Sequence, residues 1–401
     1  MNLVLVTFLT LAVVYLFIKI CEALSLPRVL SPLMVGIVLG IPQIKSQLFN
    51  QLSLDFFNGL SDIGLILLLF YVGLEFDVHK LKKSSRQMIS VALLSAVVPF
   101  ALGFFATRLI GFSWKHAFVM GASLSVTAET IAIALLEEEN MLDTKVGRTI
   151  IGAGIMDDVV EVLIISLISL FVTTKEVFSI GILEILLNFV LLIGLMIAIR
   201  FLFIPLIMRF LSEETEKQKY DLFTASIILV LAIAVLTNYL KLSFAVGALI
   251  AGIFIRYALE QKGSKGRKEE SEIDDMIKTV TFGFMMFFFF IWIGMNTDIE
   301  HIFRNPLLGI ILTVIALFGK WVGAVIGYVS VSNGKFYEAN IVGWGMNSKG
   351  AIELVAAEIA RSHGLITPEI FSAIVFMTFF SMIISPIVLN YLIRHKKHRF
   401  L

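Results

Sequence analysis

Apolar runs close to 20 residues long follow one another from end to end of the chain, separated by short polar clusters and turn residues. About 20 apolar residues in a helix cross a hydrocarbon core of roughly 30 Å, so each run predicts a spanning helix. Breaking the chain at the polar clusters gives thirteen spans, at 2–20, 29–44, 59–77, 87–107, 116–137, 146–173, 177–208, 221–240, 242–259, 277–297, 305–331, 336–360 and 368–393. The expected class is an all-α polytopic membrane protein with short loops, the most polar at 256–278, and no soluble domain at either end. The first run has no basic start and no small-residue cleavage site, which predicts a retained span and not a signal peptide.

Composition agrees with this pattern. Of 401 residues, 58% are hydrophobic and 16% charged, against about 45–50% and 25% in soluble domains. The net charge of +1 is spread over short loops, and no basic patch suggests nucleic acid. The single cysteine, Cys21, excludes an intrachain disulfide. No cofactor and no enzymatic chemistry are expected. One set of alternate loops carries 21 Lys and Arg residues and the other set carries seven. Basic loops stay inside, so the C-terminus is expected in the cytoplasm and the N-terminus outside, in a multi-pass protein of the cell membrane.

The charges left inside the spans change the picture most. On insertion scales an Asp or Lys at the bilayer centre costs about 2.5–3.5 kcal/mol, so such residues usually face a cavity or a partner. Asp157 lies about eleven residues into its span, roughly 16 Å at 1.5 Å per residue, and so falls near the midplane. Asp158 follows it, and Glu161 is one turn from both. Lys320 reaches a similar depth from the other side and is the candidate partner of one aspartate. Two spans carry small and polar centres: "GASLSVTAETIAIALLEE" around Glu129, with Thr127 beside it, and "NIVGWGMNSKGAIELVAAEIA" around Asn347, Lys349 and Gly350. Such centres predict helices that unwind at mid-membrane depth, tolerable only around a cavity. The doublet lies about 29 residues after the first break and Lys320 about 28 before the second, entering from opposite sides, as inverted repeats require.

Several of these residues have plainer readings. Lys320 could be a structural counter-ion. Glu129 and Lys349 could balance the partial charges that broken helices present to the midplane. Glu161 and Glu353 could line the cavity or serve packing, and Asn347 could line the cavity. His116, His301 and His363 fall near span ends, where surface roles are expected. "FMMFFFFIW" reads as lipid-facing or packing surface, and the glycines of "LSPLMVGIVLG" as close helix packing.

Hard oxygens from Asp158, Thr127 and unwound backbone carbonyls could hold a sodium-like ion. A neighbouring carboxylate disfavours ionisation of the other and a nearby lysine favours it, so the doublet should titrate as a coupled pair. A carboxylate that binds either a proton or a cation, but not both, supports exchange if it faces each side alternately. Two protons against one cation would make exchange respond to membrane potential, by about 2.3 kcal/mol per charge per 100 mV. A channel would want a repeated carbonyl filter, and an intramembrane aspartyl protease would carry its aspartates on separate helices. Neither pattern is present in the sequence.

"GAGIMDDVVEVLI", "SVTAET", "GKWVGA" and "GMNSKGAIELV", in this order and spacing, resemble the monovalent cation:proton antiporters, specifically their second branch. The resemblance covers essentially the whole chain. It implies the inverted-repeat antiporter fold with two crossed, broken helices. It also implies homodimers, with a dimerisation part near 1–77 and 221–297, a mobile core near 87–173 and 305–393, and a linker helix at 177–208. Further implied are ion or proton binding by Asp158, pairing of Asp157 with Lys320, and electrogenic Na⁺ (or Li⁺) exchange for H⁺, with K⁺ as the alternative cation. Glu129 departs from the many relatives that carry an uncharged residue there.

Overall fold

The computed structural model describes residues 2–24, 26–75, 85–127, 130–139, 141–173, 218–239, 244–260, 264–304, 306–331 and 335–396. All regular structure among them is helical. Among the described residues six helices are long and apolar enough to cross a membrane, which makes this a multi-pass protein. Twelve of the thirteen expected spans fall on helices. The remaining one, 177–208, lies outside the described residues.

The chain begins with α1 (Leu3–Ala23), α2 (Leu30–Leu39), α3 (Pro42–Leu48) and α4 (Gln51–Glu75). The expected span 29–44 is therefore divided, because Gly40 ends α2 and Pro42 opens α3 at a position where a missing N–H costs nothing. α4 starts earlier than its apolar run, because Asn50 and Ser53 cap its first turn reciprocally through their side chains and backbone N–H groups, each bond 2.9 Å. α5 (Arg86–Leu109), α6 (Trp114–Ser125), α7 (Thr130–Glu138) and α8 (Lys145–Thr173) follow. After α9 (Gln218–Tyr239) and α10 (Phe244–Glu260), the expected polar loop proves helical over α11 (Ser264–Val280). Lys, Arg and Glu, which fill its first half, are good helix formers. A five-residue π-helical turn, Thr281–Met285, joins α11 to α12 (Met286–Met295). The chain ends with α13 (Ile299–Arg304), α14 (Pro306–Val331), α15 (Phe336–Gly345), α16 (Ile352–Ser362) and α17 (Pro368–Lys396).

Two compact units result. One holds Met1–Leu54, Val78–Ile164 and Phe290–Leu401, and the other Asp55–Asp77 and Ile165–Phe289. In the first, α5 and α14 pack closely along their lengths. A Cβ added at Gly323 would overlap the Leu94 carbonyl, and one at Gly327 would lie 2.6 Å from the Ser90 oxygen. Glycines four residues apart thus let the two backbones touch, the close packing that membrane helices use in place of a hydrophobic driving force. α14 also packs on α15 and α17, while α16 packs on α6. Gly36 and Gly40 face the backbone of Ile291 and Met295, in keeping with a packing role. In the second unit, Gly73 and Gly252 bring α4 and α10 together, and Arg256 donates to the Leu74 carbonyl at 2.5 Å. The phenylalanine run serves packing, with Phe288, Phe289 and Phe290 fully buried. His301 and His363 are exposed, and His116 is half-buried.

Candidate functional site

Both expected helix breaks are present. α6 stops at Ser125, where Val126 turns extended (φ −66°, ψ 146°), and α7 resumes at Thr130. α15 stops at Gly345 and α16 resumes at Ile352, leaving Met346–Ala351 between them. Asn347, Ser348 and Lys349 in the second break and Thr127 in the first are all buried. Glu129 lies outside the described residues.

A helix end leaves its last four carbonyls without intrahelical donors, and in an apolar interior each must find one. At the end of α6 the donors are traceable one by one. The Ser125 hydroxyl donates back to the Ala122 carbonyl at 2.8 Å. The Lys349 ammonium donates to the carbonyls of Leu124 at 2.8 Å, Val126 at 2.6 Å and, more weakly, Ser123 at 3.4 Å. The Lys320 ammonium takes the Ser125 carbonyl. Two fully buried lysines therefore sit at the negative end of the α6 dipole. At the end of α15 the donors are neutral, the Ser385 hydroxyl of α17 reaching the Asn347 carbonyl at 2.8 Å.

In each break a carboxylate accepts a backbone N–H. Glu353 accepts the Gly350 N–H with both oxygens, at 2.9 and 3.1 Å. Gly350 and Glu353 lie three residues apart, the spacing of a helix-start capping pair, and that spacing was available in the sequence. Glu161 accepts the Thr127 N–H at 3.0 Å from α8, a bond across 34 residues that no local pattern announces. Asn347 holds its break against α14 by donating to the Leu317 carbonyl at 2.7 Å.

The aspartate doublet divides on α8. Asp157 is buried, and its Oδ2 lies 3.5 Å from the Lys320 ammonium, itself fully buried. Asp158, next along the helix, is only half-buried. Neither carboxylate oxygen of Asp157 has a hydrogen-bond donor, and the Thr127 hydroxyl is buried without a partner among the described residues. Asp157, Glu161, Thr127, Lys320, Lys349, Glu353 and Asn347 are thus gathered where both breaks meet α8 and α14, with Asp158 on the same helix. Asp157, Asp158, Glu161 and Glu353 are four carboxyl groups against two ammonium groups, so the cluster has room for added positive charge. The surplus of hard oxygen suits a small monovalent cation or protons as substrate.

The family described as sodium/hydrogen exchanger, transmembrane, matches residues 8–395. A Na⁺/H⁺ antiporter of Enterococcus hirae is 30% identical over 374 residues, 93% of each chain. The Na⁺/H⁺-K⁺ antiporter GerN of Bacillus cereus is 28% identical, over 96% of this chain and 95% of its own. Among solved structures, the sodium proton antiporter MjNhaP1 of Methanocaldococcus jannaschii shares the fold, with a TM-score of 0.66 at 16% identity, over 99% of this chain and 96% of that one. Because the family match runs through both helix breaks, the aspartate doublet and both buried lysines, this chain belongs to the sodium/hydrogen exchanger family.

Proposed function

We propose that the chain is a secondary antiporter that exchanges Na⁺ (or Li⁺) for H⁺ across the cell membrane by alternating access. The observation that carries this reading is the split doublet: a buried Asp157 held by Lys320 beside a half-buried Asp158. In this reading Asp157 is already neutralised by an internal cation. Asp158 is then the group that carries a proton or a metal cation, with the Thr127 hydroxyl and nearby oxygens completing the shell. Competition at one carboxylate couples the two fluxes without covalent chemistry. Exchange of two protons for one cation would make the cycle electrogenic.

The asymmetry of basic loops supports a cytoplasmic C-terminus and an external N-terminus. The family resemblance supports a homodimer in the lipid bilayer, with segments near 1–77 and 221–297 forming the dimer and those near 87–173 and 305–393 moving as the core. Lys320 sets the charge of the doublet, and Glu129 with Lys349 compensates the helix breaks. Glu353 and Asn347 line or brace the cavity. The printed name of the Bacillus cereus relative supports K⁺ as a second cation.

The test is proton flux in proteoliposomes holding a pH gradient, with Na⁺, Li⁺ or K⁺ added, in wild type and Asp158→Asn. Gradient collapse by Na⁺ or Li⁺, lost in the variant, is the expected result. Collapse by K⁺ alone replaces the substrate and keeps the site. No cation-dependent flux at any pH refutes the exchange reading.

A further inference from the structure

The backbone N–H groups of the two breaks are satisfied in different ways. α16 caps itself, since Glu353 belongs to its own first turn and binds Gly350 three residues back. The first break is served by a side chain from another helix, Glu161 of α8, which accepts the Thr127 N–H. We infer that Glu161 is a positioning residue of the exchange site, fixing the Thr127 peptide beside the aspartate doublet through the Glu161 carboxylate to Thr127 N–H bond. The inference rests on the exchange reading above.

The geometry gives this bond a purpose. Glu161 stands four residues after Asp157 and three after Asp158, so its side chain shares the helix face of both. It is as deeply buried as Asp157, at 1% exposure. Its Oε1 takes the N–H of the very residue whose hydroxyl is buried without a partner. The carboxylates and the Thr127 hydroxyl are therefore tied to one rigid helix, although Thr127 itself lies in unwound chain. An ion shell built partly from unwound backbone needs such a tie, because supporting contacts must hold ligands within about 0.5 Å. Lys349 holds the other end of this same peptide, donating to the Val126 carbonyl at 2.6 Å, so the Val126–Thr127 amide is gripped on its oxygen by a lysine and on its N–H by Glu161.

The experiment compares Glu161→Gln with Glu161→Leu in proteoliposomes, using Na⁺ and Li⁺ as probes. Both substitutions remove the charge and keep most of the volume, but only glutamine retains an oxygen that can accept the Thr127 N–H. The expected result is an apparent cation KM about tenfold higher in the leucine variant than in the glutamine variant, with similar kcat and similar pH profiles. Equal KM values for the two variants overturn the inference, as does a leucine variant that matches wild type. The glutamine variant also keeps the test decisive should leucine at this position impair folding. A neutral acceptor holds the amide less tightly than a carboxylate, so hydrogen exchange at the Thr127 amide is expected to quicken about tenfold in Glu161→Gln. Unchanged exchange there refutes the bond. If wild type itself shows no cation-dependent flux, the exchange reading fails, while the amide measurement still decides the geometry.

Discussion

Replacing Lys320 by methionine removes one ammonium group and little volume from a fully buried position. Two groups lose their partner: Asp157, whose Oδ2 lies 3.5 Å away, and the Ser125 carbonyl. At that distance and an effective dielectric constant near 20, the attraction between the charges is about 5 kcal/mol. Breaking a buried pair from one side costs about 3–5 kcal/mol, because the remaining charge stays uncompensated. Asp157→Asn leaves Lys320 in the mirror-image position. Removing both charges together avoids the uncompensated ion, so the double variant is expected to lie within about 1–2 kcal/mol of wild type. The coupling energy between the sites is then at least about 4 kcal/mol, the sum of the two single losses less that of the double variant. In detergent, at a fixed scan rate, each single variant should melt about 6 °C below wild type, at about 2 °C per kcal/mol. The double variant should recover most of that loss. Additive losses would show that Lys320 and Asp157 do not share one interaction, and the charge-neutral Asp157 on which the site rests would have to be abandoned.

Asp158→Asn should abolish cation-dependent proton flux and leave the melting temperature within about 2 °C of wild type, since surface and half-buried substitutions usually cost under about 0.5 kcal/mol; residual exchange in the purified variant removes Asp158 from the site. Lys349→Met strips the charged donor from three carbonyls at the end of α6 and is expected to destabilise by about 3 kcal/mol. A double-mutant cycle with Glu129→Gln tests whether these two residues compensate each other, and additive effects would refute that pairing. In the turn after α12, burial alone would raise the Asp298 carboxyl, but hydrogen bonds from the His301 backbone and ring hold it below the usual carboxylate range. A lowered native value stabilises above the unfolded pKa of about 4 and is lost as pH falls through the native value. Asp298→Asn should therefore lower the melting temperature at pH 7 and lose that effect towards pH 3; an equal gap at both would refute the assignment.

Much of the site was legible because burying charge in lipid is so unfavourable that every intramembrane acid or base advertises itself. Asp157, Asp158, Glu161, Lys320, Lys349 and Glu353 stand out against apolar flanks, and the Gly, Ser and Thr residues around them mark both breaks. The partners were less legible. Lys349 binds the carbonyls of Ser123, Leu124 and Val126, and since every residue carries a carbonyl, no side-chain pattern can single these out. Glu161 reaches a backbone N–H for the same reason unseen. Helix limits moved where local capping outweighed hydropathy. The Asn50–Ser53 cap begins α4 ahead of its apolar run, and the charged stretch from Ser264 is helical by propensity although it is far too polar to be read as a span. The glycine spacing of α14 was visible, but that it faces α5 follows only from three-dimensional packing.

The lysines at the end of α6 bear on what happens when the carrier travels without cargo. Their ammonium groups are permanent members of the chain, and between them they satisfy the carbonyls of Ser123 through Val126. A break propped by a passing metal ion would slacken each time that ion left, and the return journey would begin from a partly collapsed scaffold. Here the prop is covalently attached, so under the proposed exchange cycle the carbonyls of Ser123 through Val126 stay satisfied whether or not an ion sits beside Asp158. If the doublet is the exchange site, as proposed, its charge can then change without loss of the donors that hold the end of α6.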